Sequence, residues 1–402
     1  MLKLAFLLLA VTCSTLAQPD IGKGPFDPRA YTKKVAKCPA VNRAEEKKVE
    51  IDIHYADINP TAKRTLLLVH GWPSLWSSWK YQIQDLQDEY RLIVPDQRGF
   101  GASTHPGDVK TSGTMIDLAG DLTCVLANAG VHNAICIGHD WGSQVCYEAG
   151  RERPDIFTAL AGAALPVRPF PLHFFALTHI LPPIEVHAPG RPFVPIAALV
   201  PSFPHLAYQV FLDSTPDAAA AELRADTRRF LRGTLRDVAS PPPPKFLTYT
   251  DSFMKGWDGI DPIAPIPFFT PDEEDYWVEQ YEIQNLVNTL QFYSTGACSF
   301  IQNRKLYHDY AVAQANQTLP QPVLTVLPND DPVIDGPTAV RLLHTEDYIP
   351  NLTIETMPGA HWLHMEHPER FNKILRKWLA GLEKGTTGAA GKAEETGAHD
   401  EL

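Results

Sequence analysis

Residues 138–142 read Gly-His-Asp-Trp-Gly, an aspartate at the centre of a turn with glycine at both ends. The run before it, residues 131–137, is apolar and β-branched and reads as a buried strand. The residues after it read as a helix that stops before Pro154. A strand, a Gly-x-x-x-Gly turn and a helix together lift the central side chain clear of the backbone, where it can attack a substrate. The residue type at that centre then says what is attacked. A serine suits carbonyl carbon, because the acyl ester it forms hydrolyses readily. On a saturated carbon a serine would leave an ether that water does not cleave. A carboxylate leaves an alkyl ester, and water can attack the ester carbon that belongs to the protein. Asp140 therefore implies displacement at carbon followed by hydrolysis of a covalent intermediate, with epoxides or alkyl halides as the electrophiles.

The second step needs a base, an acid to orient it, and donors for the oxyanion. In this arrangement the acid and then the histidine follow the nucleophile along the chain. Asn329-Asp330-Asp331-Pro332 lies just past a late apolar strand, and Gly359-Ala-His361-Trp362 comes after it. His361 is the candidate base and Asp331 the candidate acid, with Asp330 the alternative and a turn-capping role open to either. His364 and His367 read as ordinary neighbours of His361. The oxyanion donors are expected to be the N–H of Trp141, directly after the nucleophile, and that of Trp72 in His70-Gly71-Trp72-Pro73, a tight turn that would also suit a cis bond before Pro73. Asp96-Gln-Arg98-Gly99-Phe-Gly101 reads as a structural turn with an internal Asp–Arg pairing option.

These residues need a scaffold. Residues 49–55 alternate as a strand, Thr65–Val69 and Arg91–Pro95 are short apolar strands, and residues 116–129 have helical spacing. Ser77 or Ser78 could cap a helix running through Leu86. Strands alternating with helices imply a parallel sheet covered on both faces. From about residue 165 to 300 the chain turns rich in proline and aromatics. Thr215-Pro216 and Thr270-Pro271 each look like a helix cap followed by proline at the first helical position, and Glu273 completes a capping box with Thr270. Four prolines at 241–244 require an extended connection. The core resumes at residues 322–327 and closes with a helix around residues 368–382. The expected organisation is a signal segment at 1–17, core at 18–165, an inserted helical lid at 166–300, core again at 301–383 and a flexible tail at 384–402.

The ordered set of HGWP, DQRGFG, GHDWG, Asp331 and GAHW resembles the α/β-hydrolase-fold epoxide hydrolases over residues 50 to 380 or so. That resemblance implies an α/β-hydrolase fold with an inserted helical lid, no cofactor or metal, and a small hydrophobic epoxide and water as partners. It also implies two lid tyrosines that protonate the departing oxygen. An epoxide leaves as an alkoxide and needs a proton, for which a phenol of pKa about 10 is suited. Tyr208, in Leu206-Ala-Tyr208-Gln, and Tyr293, in Gln291-Phe-Tyr293-Ser, resemble the two positions. Tyr249, Tyr276 and Tyr281 read as packing residues. Haloalkane dehalogenases share the nucleophilic aspartate followed by tryptophan. They usually place Asn or Glu after His-Gly, where this chain has Trp72. A non-catalytic binding protein on the same fold is the third reading, opposed by the intact nucleophile, base and acid. The proline-rich stretch 166–204 and the four prolines at 241–244 have no close counterpart in the family.

The 402 residues carry a formal charge of −12, with 44% hydrophobic and 20% charged residues, and no basic cluster, which excludes a nucleic-acid binder. Residues 1–17 have one lysine, an apolar stretch and small residues, the pattern of a cleaved secretory signal, and no later run is apolar enough to span a bilayer. The chain ends His399-Asp400-Glu401-Leu402, a signal read by the HDEL receptor, so the expected location is the lumen of the endoplasmic reticulum. Asn316-Gln-Thr and Asn351-Leu-Thr are sequons that fit that compartment. Of six cysteines, Cys13 falls in the signal. Cys124, Cys136 and Cys146 sit in apolar contexts and read as buried thiols, and the odd remainder with Cys38 and Cys298 leaves at least one free.

Overall fold

Each short apolar run of the sequence becomes a strand of one sheet. The strands are β1 (Lys33–Asn42), β2 (Lys47–Ile58), β3 (Thr65–Val69), β4 (Arg91–Pro95), β5 (Ala134–His139), β6 (Phe157–Ala163), β7 (Val323–Pro328) and β8 (Leu352–Met357). They lie in the order β1-β2-β4-β3-β5-β6-β7-β8 in a computed structural model, which describes residues 25–165, 196–284, 286–293, 318–333, 335–336 and 349–385. β1, β2 and β4 pair antiparallel; from β4 to β8 every neighbouring pair is parallel. The parallel strands are buried on both faces, which is why they read as unbroken apolar runs. Leu66 and Leu68 of β3 face a layer formed by α1 (Lys80–Leu86) and the C-terminal helix, whereas Leu67 and Val69 face α2 (Met115–Asn128) and α3 (Trp141–Glu152).

Between β6 and β7 the described chain is helical: α4 (Ile196–Leu199), α5 (Ala207–Ser214), α6 (Pro216–Ala225), α7 (Thr227–Thr234), α8 (Pro271–Glu282) and a 3-10 turn at Leu286–Phe292. Two helices complete the fold, α9 (Leu363–Glu366) and α10 (Pro368–Glu383). The helical insert is bolted to the loop after β3. Lys80 Nζ donates to Glu273 Oε1 and to the Phe268 carbonyl, both at 2.7 Å, and the Trp76 indole donates to the Tyr276 hydroxyl at 2.8 Å. The Trp277 indole donates to Ser77 Oγ at 3.0 Å, and the Tyr281 hydroxyl to the Ser74 carbonyl at 3.2 Å. Both Lys80 and Glu273 are buried, so removing either alone would strand a charge at a cost of roughly 3–5 kcal/mol.

Several expectations need correction. No serine caps the first helix: Trp76–Trp79 is a 3-10 turn, and α1 starts at Lys80 without a side-chain cap. Thr270 and Glu273 do form the capping box, but the Thr215 hydroxyl turns back to the Phe211 carbonyl at 3.1 Å instead of capping α6. Arg98 pairs with Asp121 of α2, not with Asp96, which accepts from Lys33 and the Trp76 N–H. Cys124, Cys136 and Cys146 are not thiols: Cys38 is bonded to Cys124, and Cys136 to Cys146. Strand pairing and helix packing bring these sulfurs together, and sequence spacing does not show it. β1, β6 and β8 have no counterpart in the sequence reading. The signal segment, Cys298, Asn316, the lid's first stretch at 166–195 and the terminal His399–Leu402 lie outside the described residues. Among the described residues no helix is long and apolar enough to cross a membrane.

Candidate active site

The elbow between β5 and α3 is built by its glycines. A Cβ on Gly142 would stand 2.2 Å from the Val69 carbonyl oxygen, and one on Gly71 would stand 2.5 Å from Asp140 Oδ2. Asp140 itself holds a positive φ of 53° with ψ −125°, a conformation that costs a non-glycine residue about 1–3 kcal/mol and recurs where a side chain must be presented. The side chain is nearly buried. Its Oδ2 accepts the Trp72 N–H at 2.9 Å. That amide sits in the turn after β3, whose Trp72-Pro73 bond is cis.

The other carboxylate oxygen, Oδ1, is 3.5 Å from His361 Nε2, and His361 Nδ1 donates to Asp331 Oδ2 at 2.7 Å. Asp331 is held in turn by the Val333 N–H at 2.8 Å. Asp330 does not reach His361: its Oδ2 accepts the Gly359 N–H at 3.4 Å and its own N–H donates to the Gly359 carbonyl at 3.1 Å, tying the ends of β7 and β8 together. The structure thus brings Asp140, His361 and Asp331 into one line and leaves Asp330 outside it. Burial acts to lower the pKa of His361. The Asp331 charge and the hydrogen bonds to Asp140 and Asp331 outweigh it, and the imidazole is pushed up to about 10.

Across from Asp140 stand Tyr208, in the first turn of α5, and Tyr293, just after the 3-10 turn; their rings are 5.7 Å apart. Both phenols are pushed well up, first by burial and also by the Asp140 charge, so both hold their protons. Gln209 Nε2 donates to the Tyr208 hydroxyl at 3.2 Å. The Trp72 ring meets Tyr293 edge-on at 5.1 Å, and Trp141 stacks on Phe292 at 5.6 Å. Trp141 opens α3, so its N–H belongs to the helix N-terminus beside Asp140. Tyr276 and Tyr281 make the core contacts described above and do not line the cavity; Tyr249 packs against Lys255.

Asp140, Tyr208, Tyr293 and His361 share a cavity of about 250 Å³ whose walls are largely apolar, with Phe246, Leu247 and Phe253 among them. Among the described residues no group of three or more His, Cys, Asp or Glu is arranged to hold a metal ion. Asn351, at the turn into β8, is half-buried and its amide donates to the Pro320 carbonyl at 3.1 Å.

The sequence reading missed two residues that brace this site. His139 Nε2 donates to the His361 carbonyl at 2.9 Å, and its ring is held neutral chiefly by burial. Glu366 accepts from the Ala360 N–H. His139 was visible as part of the elbow, but no local signal tied it to His361. Nothing in the sequence singled out Glu366.

A parallel sheet, a helical insert between β6 and β7 and a carboxylate at the strand–helix elbow define a hydrolase-fold protein with an acidic nucleophile position. The family model described as alpha/beta hydrolase fold matches residues 64–184. Epoxide hydrolase A of Mycobacterium tuberculosis is 27% identical over 322 residues, covering 79% of this chain and 91% of the relative. Epoxide hydrolase B of the same organism is 26% identical over 363 residues, covering 81% and 94%. An epoxide hydrolase structure from an endophytic Streptomyces superposes with a TM-score of 0.66 at 23% identity, covering 88% of this chain and 96% of that one. The chain has the α/β-hydrolase fold and is similar over most of its length to epoxide hydrolases.

Proposed function

We propose that this protein hydrolyses small hydrophobic epoxides to vicinal diols through an alkyl ester on Asp140. The observation that carries the reading is a carboxylate facing two protonated phenols across one apolar cavity. Asp140 Oδ2 already accepts the Trp72 N–H, so Oδ1 is the attacking oxygen. It bonds to an epoxide carbon, the ring C–O bond breaks, and the freed oxygen takes a proton from Tyr208 or Tyr293. His361, oriented by Asp331, then removes a proton from water, whose oxygen attacks Asp140 Cγ. The charge that develops on Oδ2 meets the N–H groups of Trp72 and Trp141. The ester C–O bond breaks, the diol leaves with the proton from His361, and the proton released as Asp140 ionises restores the tyrosine. No cofactor or metal enters this sequence.

A haloalkane dehalogenase would share the first step but needs no proton donor, because a halide leaves as a stable anion. The test is to supply matched aryl and alkyl epoxides and haloalkanes and to assay diol and halide in parallel. Diol that disappears in the Tyr208→Phe/Tyr293→Phe double variant is expected, a loss of about 10²–10⁴-fold. Halide without diol would make the protein a dehalogenase, and saturable binding with no product would make it a binding protein. The proposed compartment is the lumen of the endoplasmic reticulum, entered through a cleaved signal at 1–17 and held by the HDEL receptor, with Asn316 and Asn351 as glycosylation sites. Two disulfides support an oxidising compartment.

A further inference from the structure

His361 sits on a loop, Pro358 to Trp362, between β8 and α9. Gly359 is tied to Asp330 and the His361 carbonyl to His139, and the remaining N–H before His361, that of Ala360, is taken by Glu366, one turn further on. Its side chain is 8% exposed. Oε2 accepts the Ala360 N–H at 2.7 Å, directly before His361, and Oε1 accepts the Val238 N–H at 3.1 Å. Gly359 packs on the same carboxylate: a Cβ there would stand 3.3 Å from Oε2. Val238 belongs to the helical insert and, with Asp237 and Ala360, lines the cavity. One carboxylate therefore joins the loop of the base to the rim of the insert. The Trp362 indole, donating to the Thr234 carbonyl at 3.2 Å, is a second tie between the same two segments.

We infer that Glu366 is a positioning residue for the second half-reaction. It holds the His361 loop and the insert's rim in register, so that Nε2 faces the water attacking Asp140 Cγ. It touches neither Asp140 nor the tyrosines, so the first half-reaction does not depend on it. The inference rests on the two-step reading proposed above. A carboxylate is required because both of its oxygens accept from backbone N–H groups. The amide of a glutamine would turn an N–H₂ toward one of those donors, and an aspartate is one methylene too short to reach both.

The test is single-turnover kinetics of the full chain with styrene oxide, following formation and decay of the alkyl-enzyme by quenched-flow and intact mass. The proteins compared are wild type, Glu366→Gln, Glu366→Asp and His361→Gln. In both Glu366 variants alkylation is expected at the wild-type rate, which also reports an intact fold and elbow. Ester decay is expected to slow about ten-fold, since small misplacements of a catalytic group cost up to about 10²-fold. Because decay alone slows, kcat and KM should fall together and the alkyl-enzyme should accumulate. Decay at the wild-type rate would overturn the inference. So would alkylation and decay slowing in parallel, which is the mark of general structural support. The His361→Gln protein separates the two levels: if it accumulates no ester either, the two-step reading itself fails. If it does and the Glu366 variants do not, only the role of Glu366 is lost.

Discussion

His361 lies between two carboxylates, and in the proposed mechanism only one of them survives the first chemical step as an anion. In the resting protein the imidazole holds its proton up to about pH 10, with Asp331 on Nδ1 at 2.7 Å and Asp140 at 3.5 Å from Nε2. A protonated imidazole is no base. Alkylation turns Asp140 into a neutral ester, removing one of the attractions that hold the proton. At an effective dielectric of about 20, a unit charge at that separation is worth roughly 4–5 kcal/mol, or about 3 pKa units. Solvent reaching the cavity weakens the interaction, so a fall of at least about one unit is the safe expectation. On that mechanism the base is generated by the intermediate it must hydrolyse. Asp140→Asn imitates the neutral ester in shape and charge. Titrating the His361 ring protons by NMR in both proteins gives the comparison directly. The His361 pKa should lie lower in Asp140→Asn, and ester decay in the wild type should speed up with rising pH through that lowered value. A His361 that titrates at the same pH in both proteins would refute the coupling.

Other outcomes follow from the same geometry. Asp140→Ala should abolish turnover, and His361→Gln should let the alkyl-enzyme build up to near one equivalent by intact mass; steady rapid turnover in either would sink the mechanism. Because the folded-state pKa of His361 is raised, its stabilising contribution is complete below its unfolded value of about 6.5 and is lost as pH climbs through about 10. The difference in Tm between wild type and His361→Gln should therefore shrink across that window, and a difference that is flat or grows would contradict it. The Cys136–Cys146 bond joins β5 to α3 around the elbow, closing a segment with a sequence separation of 10. Replacing both by serine should cost about 2–3 kcal/mol in urea unfolding by loop-closure entropy; an unchanged midpoint would show that the bond does not form in the folded protein.

The elbow that presents Asp140 was legible in the chain because it is a local object. Gly138 and Gly142 flank the strained residue, an apolar run makes β5, and helix-forming residues follow; each is set by neighbours a few residues away. Trp72 and His361 were legible for the same reason, each sitting in a short turn after an apolar run. The capping box of Thr270 and Glu273 is equally local. Where a local signal had competing partners, it misled: the Thr215 hydroxyl found the carbonyl behind it, and Arg98 found Asp121 on a packed helix.

What the sequence by itself determined was the set of groups that the proposed chemistry uses, a carboxylate at the elbow, a histidine and two phenols, and an alternation of strands and helices to carry them. Residue type and short-range periodicity are enough for that, because backbone preference and side-chain chemistry act over a turn or a strand. Which of two adjacent aspartates faces the histidine was decided only by the tertiary structure, since the direction of a side chain at the end of β7 depends on how β8 and its loop dock beside it. The cysteine pairs depended on the same packing. So did the link from Glu366 to Val238, across 128 residues, because contacts at that range form only when the insert closes on the core.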